Sequence, residues 1–215
     1  TEADFDSRPR YTDPELLRSS LAAVILRALS LGLGKVEEFP FLDAPAPRAI
    51  ADGYALLAEL GAVDEKNELT GIGRELARLP LDPRIGRMLI AARDEHCAEQ
   101  MLVIAAALSV PDPRQRPLGE AAAADERHAR FADERSDFLA FLKLWQALEQ
   151  PNPRRYCRDH FLSLPRLREW RDVQRQLATT LDELGWRVSS VNPAKPEGHA
   201  AIHREREGLD LAAAR

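Results

Sequence analysis

Between positions 154 and 175 stand seven arginines, Arg154, Arg155, Arg158, Arg166, Arg168, Arg171 and Arg175, against only Asp159, Glu169 and Asp172. Guanidinium forks bind phosphate oxygens in pairs and stack on bases, so a groove along this segment could grip a single polynucleotide strand at sequence-independent positions. The same residues serve equally well as a solvated helix face laced with ion pairs four apart, such as Arg168 with Asp172. Arg114 and Arg116, in the Pro- and Arg-rich run 111–117, form a second candidate contact.

Other chemistries find less support. Gly32-Leu-Gly34-Lys35 resembles part of a phosphate loop, but Leu29 and Val36 stand where that loop needs Gly and Ser or Thr. The pair reads instead as a helix-ending glycine signal. His199 and His203 share one helical face, yet no Glu follows the first and no third ligand lies at a recognisable spacing, so no metal is expected. Cys97 and Cys157 form no C-x-x-C pair, and no Gly-x-Ser-x-Gly occurs. No catalytic constellation emerges, and two isolated cysteines point to a reducing, cytoplasmic compartment.

The elements that must position these arginines are helical. The 215 residues, 45% hydrophobic and 30% charged, have the balance of a globular chain with a core of ordinary size. Its densest apolar stretch, 101–108, is too short to cross a bilayer, which needs about 18 residues. The net charge of -5 excludes holding nucleic acid by overall electrostatics, so any such contact must be local. The opening Thr-Glu-Ala-Asp lacks an initiator Met and the chain closes on Ala-Ala-Ala-Arg, the look of a piece of something longer.

Thr12-Asp-Pro-Glu15 has the form of a capping box, after which Leu17, Leu21, Val24, Ile25, Ala28 and Leu29 recur at helical spacing until Gly32. Residues 35–39 read as extended, and Ile50, Tyr54, Leu57 and Leu60 mark a second helix. The stretches 62–64 and 68–70 flank a polar turn and read as a small hairpin. Two helices and a hairpin suggest a winged helix. Thr70 can cap the next helix, and Asp82-Pro83 opens another. Residues 101–110 read as a helix buried all round. Phe138, Leu142, Trp145 and Leu148 stripe a further helix, and Leu167, Trp170, Leu177 and Leu181 the last; both tryptophans read as core. The expected fold is mainly α: a winged-helix module with a small β-hairpin, followed by a helical bundle.

Six motifs come in order: Phe5-Asp-Ser-Arg-Pro9, Thr12-Asp-Pro-Glu-Leu-Leu-Arg18, Phe41-Leu-Asp-Ala-Pro45, Leu56-Leu-Ala-Glu-Leu-Gly-Ala62, Leu69-Thr-Gly-Ile-Gly-Arg74 and Leu79-Pro-Leu-Asp-Pro-Arg84. This series resembles the C-terminal region of DEAH-box RNA helicases, with Pro-Leu-Asp-Pro-Arg among the most specific signatures. Ala107-Leu-Ser-Val110, Asp112-Pro-Arg-Gln-Arg-Pro117 and Ser136-Asp-Phe-Leu-Ala-Phe-Leu-Lys-Leu-Trp145 resemble the bacterial HrpA-type branch in particular. The resemblance covers nearly the whole chain.

It implies a linker over 1–12 from an upstream RecA-like domain, a degenerate winged helix over 13–80, a ratchet-like bundle over 81–187 and a connector over 188–215 toward an OB-fold. It further implies that ATP and Mg belong to the RecA-like domains of the parent, with no cofactor in this region. The partners it implies are single-stranded RNA and the flanking domains. By the same resemblance the stretch Phe161-Leu-Ser-Leu-Pro-Arg-Leu-Arg-Glu-Trp170 lies beside the RNA channel, with Ser163, Arg166 and Arg168 as its leading contacts. Two departures stand out: Gly71 replaces a usual Pro, and Pro165 interrupts a segment that is helical throughout in the family.

Two alternatives compete. One is a purely structural or protein-docking module whose arginines serve only its surface. The other is a winged-helix regulator reading duplex DNA, although the candidate recognition helix 50–60 offers Asp52 and Glu59 and no basic residue.

Overall fold

The computed structural model describes residues 21–186. The motifs at 5–9 and 12–18, the connector 188–215 and the pair His199 and His203 lie outside them. The chain divides into two units between Met88 and Leu89.

The first unit is built on α1 (Ala22–Ser30) and α2 (Pro47–Glu59), packed on each other through Ala22, Ile25, Leu26 and Leu57. The helices approach closely because position 53 is Gly: a Cβ there would lie 2.6 Å from Cδ1 of Ile25. Gly32 and Gly34, at φ of 67° and 81°, close α1, with Leu33 N–H returning to the Ala28 carbonyl at 3.0 Å. Residues expected to be extended after it form a short 3-10 turn, Val36–Glu38, which inserts Val36 into the core. Helical turn geometry puts that single apolar side chain inward while its acidic neighbours stay in water.

Where the sequence suggests a hairpin, the described residues hold one antiparallel bridge, Val63 to Leu69. The turn between them is organised by Asp64, whose Oδ1 accepts the N–H groups of Lys66 at 2.8 Å and Glu68 at 2.9 Å. Those bonds hold its carboxyl below the usual range. Thr70 then caps α3 (Gly71–Leu76), accepting from Gly73 N–H at 3.1 Å and donating to the Gly61 carbonyl at 2.6 Å. Asp82 opens α4 (Pro83–Asp94) by accepting Arg84 N–H at 2.9 Å.

The second unit is organised around α5 (Ala98–Leu108), whose residues 101–107 are all buried. After it come the run 111–117, α6 (Ala121–Ala129), α7 (Asp137–Trp145) with a 3-10 extension (Gln146–Glu149), α8 (Pro153–Asp159) and the long α9 (Leu164–Glu183). Both α7 and α9 pack on α5. Trp170 is fully buried and donates its indole N–H to the Val103 carbonyl at 2.8 Å, while Trp145 meets it edge-on at 5.1 Å. The expected stripe on α7 is shifted, however. Ala140, Leu144 and Trp145 are buried and Phe138 is exposed, because Phe141 rather than Phe138 meets Trp170 edge-on at 6.0 Å.

Candidate nucleic-acid interface

Pro165 does not interrupt a helix; it falls in the first turn of one. α9 starts at Leu164 with Ser163 as its cap, and proline is tolerated there because first-turn N–H groups have no intrahelical partner. Residues 160–163 therefore form a turn between α8 and α9 instead of continuing either helix.

That turn is stitched to the run 111–117. Leu162 bridges Arg114 in antiparallel fashion, Gln115 N–H donates to the Phe161 carbonyl at 2.8 Å, and Ser163 N–H donates to the Pro113 carbonyl at 2.7 Å. The Phe161 carbonyl also takes a hydrogen bond from Nε2 of His128 on α6 at 3.2 Å. Phe161 sits at φ 53°, unusual for a bulky residue, and these contacts from two other segments hold it there. The two arginine-bearing regions become one surface.

Each candidate has a definite place on that surface. Arg166 donates to the Asp112 carbonyl at 2.8 Å, and Ser163 accepts the Arg166 backbone N–H at 3.5 Å. Arg114 forks onto the Asp112 carboxylate through Nε at 3.0 Å and Nη2 at 2.6 Å. Burial works against that carboxylate, yet the Arg114 fork and backbone N–H outweigh it and hold Asp112 below the usual range. Arg116 pairs with Asp125 at 2.6 Å. Arg155 and Arg158 share Asp159 at 3.5 and 3.4 Å. The expected Arg168–Asp172 pair is absent: Asp172 pairs with Arg175 one turn on.

Arg154, Arg168 and Arg171 remain. All three are exposed, and none forms an ion pair among the described residues. Arg168 and Arg171 are three apart on α9 and so share a face. Arg168 also lies near α8, where burial raises the Cys157 thiol and the guanidinium partly offsets it.

A cluster that the sequence did not flag supports α8 from beneath. His160 is buried; Arg130 donates to its Nε2, and a guanidinium can only donate, so the ring proton resides on Nδ1 and goes to the Tyr156 carbonyl at 2.8 Å. The Tyr156 ring stacks on His160 at 4.1 Å. A Tyr four residues before a His at a helix end is the only local signal of this arrangement; Arg130 joins it across 30 positions of chain.

The fold is mainly helical, and its α8–α9 turn is joined to the arginine-bearing run 111–117. Residues 55–81 match the helicase-associated domain (HA2), winged-helix, and residues 82–141 match the helicase-associated domain (HA2), ratchet-like. Over 94% of its length the chain is 45% identical to an ATP-dependent RNA helicase HrpA homolog of Haemophilus influenzae and 46% identical to the ATP-dependent RNA helicase HrpA of Escherichia coli. It is thus the helicase-associated C-terminal region of an HrpA-type helicase. The chain spans 17% and 16% of the length of these two relatives. Among the described residues no helix is long and apolar enough to cross a membrane.

Proposed function

We propose that this region is a non-catalytic wall of an ATP-dependent RNA helicase, closing one side of the path of single-stranded RNA and packing on the motor domains of the same polypeptide. The observations that carry the reading are the joining of the 111–117 run to the α8–α9 turn and, on the two helices that this turn connects, the exposure of Arg154, Arg168 and Arg171 with no ion-pair partner among the described residues. Paired arginines are already neutralised by neighbours, whereas these three are available to phosphate. Ser163, Arg166, Arg114 and Arg116 act mainly by holding the surface in shape, and Arg155 and Arg158 can turn from Asp159 at small cost because exposed ion pairs contribute little.

Packing on the motor is assigned to the first unit. There Ala23, Val24, Ala28, Leu33, Phe39 and Phe41, with Arg27, line a mainly apolar groove of about 350 Å³, and Leu31 and Leu42 of the same unit are exposed. Apolar patches of this kind mark protein contacts. The bridged turn at 63–69 serves as a degenerate wing. In this reading residues 1–12 lead from a RecA-like domain, 13–80 are the winged helix, 81–187 the ratchet-like bundle, and 188–215 lead to an OB-fold. ATP and Mg act on the RecA-like domains of a cytoplasmic parent.

The test is fluorescence anisotropy with a labelled single-stranded RNA at low salt. The 215-residue chain binds it, and Arg168→Glu with Arg171→Glu weakens binding by about tenfold or more, as loss of two phosphate contacts requires. Absence of binding by the unaltered chain, or equal binding by the variant, contradicts the reading and favours a structural module.

A further inference from the structure

Along one face of α8, Gln150, Asn152, Arg155, Tyr156, Asp159 and His160 line an open depression of about 280 Å³. That is just below the range for ligand sites, roughly 300–1,000 Å³, and suits one planar ring better than a whole nucleotide. Its polar groups are of mixed type. The Asp159 carboxylate only accepts. The Arg155 guanidinium and the amide N–H groups of Gln150 and Asn152 donate, and neither amide group is engaged as a donor among the described residues; Asn152 uses only its oxygen, accepting Arg155 N–H at 3.1 Å. Tyr156 belongs to the lining; His160, itself fixed by Arg130 and by the Tyr156 carbonyl, covers one face of its ring, so a base can stack only on the other.

From this depression we infer that the face of α8 bearing Arg155, Tyr156 and Asp159 holds one base of the bound strand and prefers guanine, an inference that rests on the RNA-path reading above. Guanine alone among the four bases presents two adjacent N–H donors, N1 and N2, to a carboxylate, together with an O6 acceptor for a guanidinium or amide. Adenine and cytosine offer the carboxylate a single amino group, and uracil places carbonyl oxygens on both sides of its N–H. Stacking on Tyr156 is open to every base, so the aromatic ring provides affinity and Asp159 provides choice. Asp159 does not repel the phosphates because Arg155 and Arg158 flank it at 3.5 and 3.4 Å.

The experiment compares binding of the 215-residue chain to a labelled uridine oligomer and to the same oligomer carrying guanosines at its centre, with inosine versions as a third probe. The guanosine oligomer binds about fivefold more tightly than the uridine one, and inosine, which lacks the N2 amino group, loses most of that gain. In Asp159→Asn the preference disappears while binding to the uridine oligomer strengthens, because Arg155 and Arg158 are released to the phosphates. A variant that merely damaged the fold would weaken both oligomers. Tight, salt-dependent binding with no preference among the three oligomers overturns the guanine site and leaves the RNA-path reading intact. Failure to bind any of them overturns both.

Discussion

The guanidinium of Arg166 donates to the backbone carbonyl of Asp112 at 2.8 Å, joining positions 54 apart in the chain. The same Asp112 accepts the Arg114 fork through its carboxylate. Asp112 thus receives the first turn of α9 on its main chain and braces the 111–117 run internally through its side chain. The surface proposed to face RNA is therefore a cross-linked edge rather than two loose loops.

Asp112 makes that edge sensitive to acid. Its folded carboxyl lies below the ordinary value, so the stability it contributes is complete above about pH 4 and is lost as pH falls through the folded value. Replacing it with Asn flattens the acid limb of a plot of melting temperature against pH and lowers the melting temperature at pH 7. A pH profile parallel to that of the unaltered chain would show that the Arg114–Asp112 fork is not formed.

The indole of Trp170 has a defined partner in the core, the Val103 carbonyl. Trp170→Phe keeps most of the buried surface and removes the donor, at a cost of about 1–3 kcal/mol in urea unfolding. Trp170→Ala costs about 3–5 kcal/mol, because a cavity is added. A Trp170→Phe variant as stable as the unaltered chain would mean that the hydrogen bond contributes nothing.

Two glycines in one short helix have opposite expectations. A Cβ at Gly73 would lie 2.0 Å from the Ala62 carbonyl oxygen, a backbone atom that cannot move cheaply, whereas one at Gly71 meets nothing within 4 Å. Gly73→Ala destabilises the chain by about 1–3 kcal/mol or more. Gly71→Ala stabilises it by about 0.4–1 kcal/mol through lost freedom of the unfolded chain. Thermal unfolding of both variants checks the sign.

Ser163 begins α9 and, with its N–H on Pro113, also fastens the 111–117 run. Ser163→Ala removes only the cap and costs about 1 kcal/mol. Its RNA affinity stays within about twofold of the unaltered chain, since the backbone bonds that shape the edge survive. A tenfold loss of affinity would make the hydroxyl a direct contact.

What the sequence disclosed was local. The Thr70 and Asp82 caps, the glycine pair ending α1, the buried run in α5 and the core placement of Trp145 and Trp170 all follow from periodicity and end signals over a few residues. The place of Pro165 at the start of α9 is not legible locally, because it follows from the turn at 160–163 and this turn depends on bonds to 113–115. The α7 stripe shifted because Phe138 and Phe141 have equal claim on an apolar face until Trp170 selects between them. Which arginines are free was equally hidden. Asp172 could pair forward or back, and Asp125 reaches Arg116 only after α6 folds beside the run.

The central claim is that Arg154, Arg168 and Arg171 meet phosphates of a single strand, and the salt dependence of binding reads this most directly. For single strands the slope of log K against log salt is about -0.7 per phosphate contact. Changing all three residues to Ala should make the slope shallower by about two and weaken binding most at low salt. An unchanged slope, with the fold intact by circular dichroism, would show that these arginines do not touch the strand.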